Sequence, residues 1–467
     1  MQPCCEMDRG GTAMKKLYSI EVINDCTNTI YLPADASIPS NLKRAAFGTM
    51  KVEAFIAVQK FGGNVIRISE DLIQALKIPP TLPILHVFYD KDVLYIGPLV
   101  GIFTSGFSSV EVKPIGERTI IFSKLLAVQN TAGVTAFLFG AQHIDWDKGT
   151  INGLFYHDGW KRFEVPFPDV IYDRIPNRRT ESLPKIKKVK YRLQQEYMIP
   201  WYNPGFFNKL DIYERLLQEN SIADFLPETL PFTSFSVVER MLSNYGHIYV
   251  KPKNGSLGKG IYQVIYNKKD ENYYTRFKEP SGEKRLLKFD TLEKLIQHIT
   301  AKTNINNLLV QQGIHLMRSE KKPIDFRVHT NKNKQGKWEV TAIAAKIAGA
   351  GSATTHMNSG GIVKSIDELL DVDKDKEQLK EKLINSALRI SKTLEKYTEG
   401  TIGEIGFDIG VDRKGRVWLF EANSKPGRSI FKHSSLKKDD LLTRRMSLEY
   451  AIYLYEQSIK KPEDIFK

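Results

Sequence analysis

An α+β fold in three parts is what the sequence predicts, and three observations carry that prediction. Residues 14–116 alternate apolar and polar side chains with a period of two, broken by Gly, Pro and Asp clusters. From about Glu117 short apolar runs alternate with helical spacing. From about Asn203 to the end, strand hairpins alternate with long amphipathic stretches. A chain of 467 residues agrees with this division, because domains average roughly 150 residues.

The elements follow in order. Residues 1–13 read as a disordered extension ahead of an alternative start at Met14. In the β-rich N-terminal domain, 14–116, strands are expected at 51–58, 64–68 and 84–89. Residues 117–202 form a small α/β unit and a connector. Glu117 to Thr131 is helical by spacing, Val134–Gly140 is a short buried strand, and "PDVIYDRI" (168–175) is another. The basic stretch 185–192, "KIKKVKYR", lies on a helix after the polar connector. In the last part, 203–467, Leu210–Asn220 is a helix, 247–266 and 401–423 are hairpins, Leu369–Tyr397 is a long amphipathic helix, and Arg444–Lys460 is the terminal helix.

Composition excludes several classes. Apolar residues make up 42% and charged residues 26%, and mean hydropathy is −0.32, which is ordinary for a globular protein. No run of about 18 apolar residues exists to span a membrane. All three cysteines, Cys4, Cys5 and Cys26, fall near the start. This excludes a disulfide framework and fits a reducing cytoplasm. Lys plus Arg (68) exceed Asp plus Glu (54) by 14, so an anionic partner is expected. Nucleic acid is disfavoured, because no zinc spacing, RNP motif or recognition helix accompanies the charge.

Two motifs carry chemistry. In "HIYVKPKNGSLGKGIYQVIY" (247–266) an apolar strand ends in Lys251, a loop holds Gly255, Ser256, Gly258, Lys259 and Gly260, and a second strand follows. Glycines there let backbone N–H groups approach phosphate oxygens. No helix follows, so the loop is neither Walker A nor Rossmann. In "GEIGFDIGVDRKGRVWLFEANSKPG" (403–427), Asp412–Gly415 is a turn between two strands. A loop at 413–416 would pair Asp412 with Val417 and Asp408 with Glu421, with Val417, Leu419, Glu421 and Asn423 sharing a face. Two facing carboxylates repel unless a cation intervenes, and three hard oxygen donors suit Mg²⁺ or Mn²⁺. Lys346 lies in an apolar run, "VTAIAAKIAG", where a charge needs a partner or a cleft.

Together these residues resemble the ATP-grasp fold, in which two α+β lobes clamp a nucleotide. The Asp408, Glu421, Asn423 set followed by "SKPG" looks like the metal hairpin of D-alanine–D-alanine ligase and glutathione synthetase. The resemblance implies that Lys209, Lys251 and the Gly255–Gly260 loop hold phosphates. It also implies that the linker at Gln311, Gln312, Gly313 and Ile314 holds adenine through its backbone. Gln312 stands where a glutamate is usual. Asp325 and Arg327 in "PIDFRV" match a ribose-binding acid and a phosphate- or carboxylate-binding arginine, and Asn358 in "HMNSGG" lies on the substrate side. Over its whole length the chain is similar to the YheC/YheD-type, endospore coat-associated family, which shares "PDVIYDRIPNRR" (168–179) and "KPKNGSLGKGIY".

The resemblance therefore implies ATP and two Mg²⁺ ions (or Mn²⁺) as cofactors and a carboxylate–amine or carboxylate–thiol ligase working through an acyl phosphate. Arg327, Lys346 and Asn358 would act on the substrates. Their identity is open, with an acidic polymer as one class. The expected location is the cytoplasm or the spore coat, with coat components as partners. The alternative keeps the nucleotide without turnover, as a coat or coat-assembly protein.

Overall fold

The computed structural model describes residues 17–36, 38–59, 63–81, 84–253, 260–279, 281–301, 303–349, 352, 360–370 and 372–466. The chain divides into two compact units. The first comprises Met1–Gly205, Lys332–Lys337 and Arg444–Lys467, and the second comprises Phe206–Asn331 and Trp338–Thr443.

In the first unit, two four-stranded sheets come from the early alternating segments. One orders Ser19–Ile23, Val65–Ser69, Thr29–Leu32 and Phe55–Val58; the other orders Met50–Glu53, Arg44–Phe47, Val93–Gly97 and His86–Asp90. A seven-stranded sheet has Leu99–Phe103 at its centre, parallel to Thr135–Phe139 on one side and to Val170–Asp173 on the other. Every residue of Leu99–Phe103 and Thr135–Phe139 is buried, as expected for parallel strands covered on both faces. Leu99–Phe103 lies within the segment expected as the β-rich domain, yet it pairs with strands of the following α/β segment.

The second unit is built on two sheets. A six-stranded antiparallel sheet orders Thr229–Pro231, Leu308–Gln312, His247–Pro252, Tyr262–Asn267, Asn272–Lys278 and Lys284–Phe289. The helices Phe235–Tyr245 and Leu292–Thr300 bury Val238, Met241, Leu295 and Ile299 in its core. The other sheet orders Ile362–Lys364, Trp338–Ile347, Lys322–Lys332, Glu404–Val411 and Val417–Asn423. Against it packs the helix Asp373–Tyr397, whose Leu379, Leu383, Ala387, Ile390 and Leu394 recur at helical spacing.

The terminal helix is longer than expected and runs Lys437–Lys460. Its polar first turn shows no apolar period, but Asp439 and Asp440 sit where the helix dipole favours negative charge. Among the described residues no helix is long and apolar enough to cross a membrane.

Candidate functional site

The carboxylate hairpin forms, but not in the register expected from its turn. Val411, not Asp412, pairs with Val417; Ile409 pairs with Leu419; then the register shifts and Asp408 pairs with Glu421. Phe420 is the extra residue, a β-bulge. The bulge corrects the expected face. Val417 and Leu419 pair with Val411 and Ile409 in the core, whereas Glu421 and Asn423 pair with Asp408 and Gly406 on the opposite face. Asp412 instead caps the turn, its carboxylate accepting from the Lys414 and Arg416 amides and from Trp418 Nε1.

In the second unit Asp408 and Glu421 line a cleft of about 790 Å³ to which both sheets contribute. Register brings a cation to each acid. Arg327 pairs with Asp408 across the neighbouring strand, and its guanidinium donates to Asp408 Oδ2 at 3.1 Å. Lys346 Nζ lies 2.7 Å from Asp408 Oδ1 and 2.9 Å from Asp325 Oδ1. Burial opposes the charge on Lys346, but Asp325 and Asp408 outweigh it and hold its pKa above the usual lysine value. Lys346 thus lines the cleft and sits in a buried ion pair at once. Lys209 opens the helix Lys209–Leu217 behind the cap residue Asn208, and its Nζ lies 3.6 Å from Glu421 Oε2.

The opposite wall is a row of side chains across the six-stranded sheet. Thr229, Gln311, Tyr249, Gln263 and Arg276 are successive cross-strand partners; all but Thr229 line the 790 Å³ cleft. Two residues along the same strand, Lys251 Nζ donates to Gln311 Oε1 at 2.8 Å, and Gln311 Nε2 donates to Thr229 Oγ1 at 2.8 Å. Burial, with Lys209 nearby, pushes Lys251 down to about 7, against the pull of Glu421. Burial, with His315 beside it, likewise pushes His247 down to about 4, so that ring is neutral at neutral pH. The sequence reading missed His247, Tyr249, Gln263, Arg276 and His315. A period of two counted back from Lys251 reaches Tyr249 and His247.

The expected linker is partly committed to the sheet. Leu308–Gln312 is a strand paired on both sides, the Gln312 amide donates to Glu228 O, and the Gly313 amide donates to His247 O. The Gln312 side chain is also occupied, accepting from the Glu228 amide at 3.1 Å. Gln311, Gln312, Ile314 and Asp325 line the cleft. A Cβ on Gly313 would fall inside the His247 ring and backbone oxygen. Gly313→Ala is therefore expected to lower stability by about 1–3 kcal/mol through overpacking, measured by urea denaturation; an unchanged midpoint would contradict it. Arg327, Asn423, Gly260 and Gly313 do not line the cleft. Gly255, Ser256, Gly258, Lys259 and Asn358 lie outside the described residues.

The donor chemistry suits a divalent ion. Two carboxylates and an amide on one face are hard oxygen ligands. Among the described residues no three His, Cys, Asp or Glu side chains cluster as a metal site; the third oxygen on this face is that of the Asn423 amide. The lysines and arginine described above hold the two acids.

Comparison with known proteins gives the family of the chain. The family description "YheC/D like ATP-grasp" matches residues 198–454. The chain is 40% identical over 452 residues to the endospore coat-associated protein YheD of Bacillus subtilis, covering 97% of this chain and 99% of that one. It is 24% identical to YheC of the same organism, over 70% of this chain and 90% of the other. Among solved structures, D-alanine–D-alanine ligase from Bacillus anthracis aligns with a TM-score of 0.43 and 12% identity, over 78% of this chain and 99% of that one. A D-alanyl-alanine synthetase A from Vibrio cholerae aligns with 0.41 and 14%, over 79% and 98%. With a mixed α/β fold and one family description spanning the cleft and its hairpin, the chain belongs to the YheC/YheD family of ATP-grasp proteins.

Proposed function

We propose that this protein is an ATP- and Mg²⁺-dependent ligase that joins a carboxylate to an amine through an acyl phosphate. The observation that carries the reading is the face-to-face pair Asp408–Glu421, with Asn423 beside it, in a cleft whose other wall presents Lys251. Asp408, Glu421 and Asn423 would hold divalent ions, whose chemistry when bound is to neutralise charge between the β- and γ-phosphates. Lys251 and Lys209 position the triphosphate. The neutral His247 ring, Ile314 and Leu316 offer a dry surface to the base. Asp325 holds a ribose hydroxyl, and Arg327 and Lys346 orient the acceptor carboxylate and the transferred phosphoryl group. A carboxylate oxygen attacks the γ-phosphorus and the bond to the β-bridging oxygen breaks, releasing ADP. The amine then attacks the acyl carbon, phosphate leaves, and the amine's proton passes to solvent.

The depressed Lys251 gives this reading a pH signature. A triphosphate beside Lys251 raises its pKa above the resting value of about 7, so binding takes up a proton above that pH. Nucleotide affinity is then expected to fall as pH rises past 7, by up to about tenfold per unit. Calorimetric titration at several pH values checks this, and Lys251→Met should flatten the slope. A slope unchanged in that variant would remove Lys251 from the site.

The deciding experiment is a screen of carboxylates with ATP, Mg²⁺ and hydroxylamine. Hydroxamate formed with one carboxylate, and lost in Glu421→Gln, supports the ligase. Thermal stabilisation by MgATP with neither ADP nor hydroxamate for any carboxylate supports the second reading, a coat-associated nucleotide-binding protein without turnover. The names of the two Bacillus relatives favour the spore coat as its place in either case.

A further inference from the structure

The first unit contains a second arrangement suited to an anion. Leu99–Phe103 lies between the parallel strands Thr135–Phe139 and Val170–Asp173; the chain leaves its carboxyl end toward Thr135–Phe139, and leaves Val170–Asp173 toward Trp201–Tyr202 on the opposite side. Open α/β sheets bind ligands in the crevice left by such a switch. Thr104 follows the central strand, and its hydroxyl donates to the Arg174 carbonyl at 2.9 Å. Arg118 comes to the same point: one terminal nitrogen donates to Thr104 Oγ1 at 2.9 Å, the other to the Ser105 carbonyl.

The environment of Arg118 does not compensate its charge. Its partners are a hydroxyl, a carbonyl and the Phe122 ring at 5.5 Å, none of them negative. Burial, with the Arg174 guanidinium nearby, lowers its pKa, and no carboxylate works the other way. A guanidinium has five N–H donors, and the protein accepts two of them. Two other cations among the described residues, half-buried Lys190 and buried Arg428, have carboxylate partners: Lys190 pairs with Asp173 and Glu181, and Arg428 with Glu404. Paired is the rule, because an uncompensated charge away from water is costly.

We propose that Arg118, together with the Thr104–Gly106 loop beside Arg174, binds a small oxyanion, either a carboxylate or a phosphate group. Gly106, at φ +74°, keeps the approach open, since a Cβ there would lie 3.0 Å from the guanidinium. The fork of an arginine matches both oxyanions. The proposal is independent of turnover in the cleft.

Thermal melts of the full chain at constant ionic strength test it, with inorganic phosphate, glutarate or chloride as the probe. The wild type should be stabilised saturably by phosphate or glutarate over chloride. Arg118→Gln should weaken that response at least tenfold, while melting in chloride alone at or above the wild-type temperature. A response to phosphate only identifies a phosphoryl ligand; a response to glutarate identifies a carboxylate. Arg118→Lys, which keeps charge but not the fork, should retain part of it. The proposal is overturned if neither anion stabilises the wild type beyond chloride. It is also overturned if Arg118→Gln responds like the wild type, because the anion then binds elsewhere, as at the cleft lysines.

Discussion

Asp408→Asn is expected to abolish nucleotide turnover, by at least about a thousandfold, and to lower stability by on the order of 3 kcal/mol. Both effects follow from one carboxylate having two kinds of neighbour. Asp408 stands opposite Glu421 as a prospective metal ligand, and it also holds Lys346 at 2.7 Å and Arg327 at 3.1 Å. The amide keeps the shape but leaves Lys346 with Asp325 and strips the carboxylate from Arg327. Breaking a buried pair from one side is costly because the remaining charge is stranded. The double variant Asp408→Asn, Arg327→Met removes the stranded cation, leaves Lys346 on Asp325, and should recover a large part of the lost stability without recovering turnover. Urea denaturation and an ADP-release assay measure the two quantities. Turnover within tenfold of wild type in the single variant would sink the assignment.

The second large effect belongs to Arg428→Met. Arg428 and Glu404 pair at 2.6 Å with side chains only 2% and 1% exposed. The pair ties the segment after Asn423 back to the first residue of the strand that carries Asp408. Truncating the arginine leaves Glu404 charged in the core, at about 3–5 kcal/mol. Pairing it with Glu404→Gln should return most of that loss, since burying neither charge avoids their desolvation. A single variant as stable as wild type would show that the pair is not what anchors this segment.

The chemistry of the site could be read locally; its geometry could not. Asp408 stands out because it interrupts an apolar alternation, and Lys251 because it ends one. The neighbours of Lys251 followed the same period of two and were within reach. Phe420 gave no warning, because a bulged Phe looks like the apolar residues beside it, and register depends on the partner strand. The clasp of Lys346 on Asp325 and Asp408 needs three strands in register, which no local pattern encodes. Leu99–Phe103 is apolar on both faces, so its own residues do not say which sheet it joins. The start of the terminal helix was hidden by charges that satisfy the helix dipole rather than a core.

The bulge at Phe420 gives the hairpin a parity. Side chains alternate faces along a strand, so Leu419 and Glu421, two residues apart, would share a face in a regular strand; the bulge absorbs Phe420 and keeps Leu419 in the core with Glu421 opposite Asp408. Deleting Phe420 would make Leu419 and Glu421 neighbours and leave both on their present faces in a regular ladder, whereas one further residue between them would turn Glu421 and Asn423 toward the core. The turn at Asp412–Arg416 lies beyond the last pair, Val411–Val417, so two residues added there leave every face as it is. Length variation is therefore tolerated at the tip of this hairpin, whereas its return strand tolerates the loss of a single residue only at the bulge.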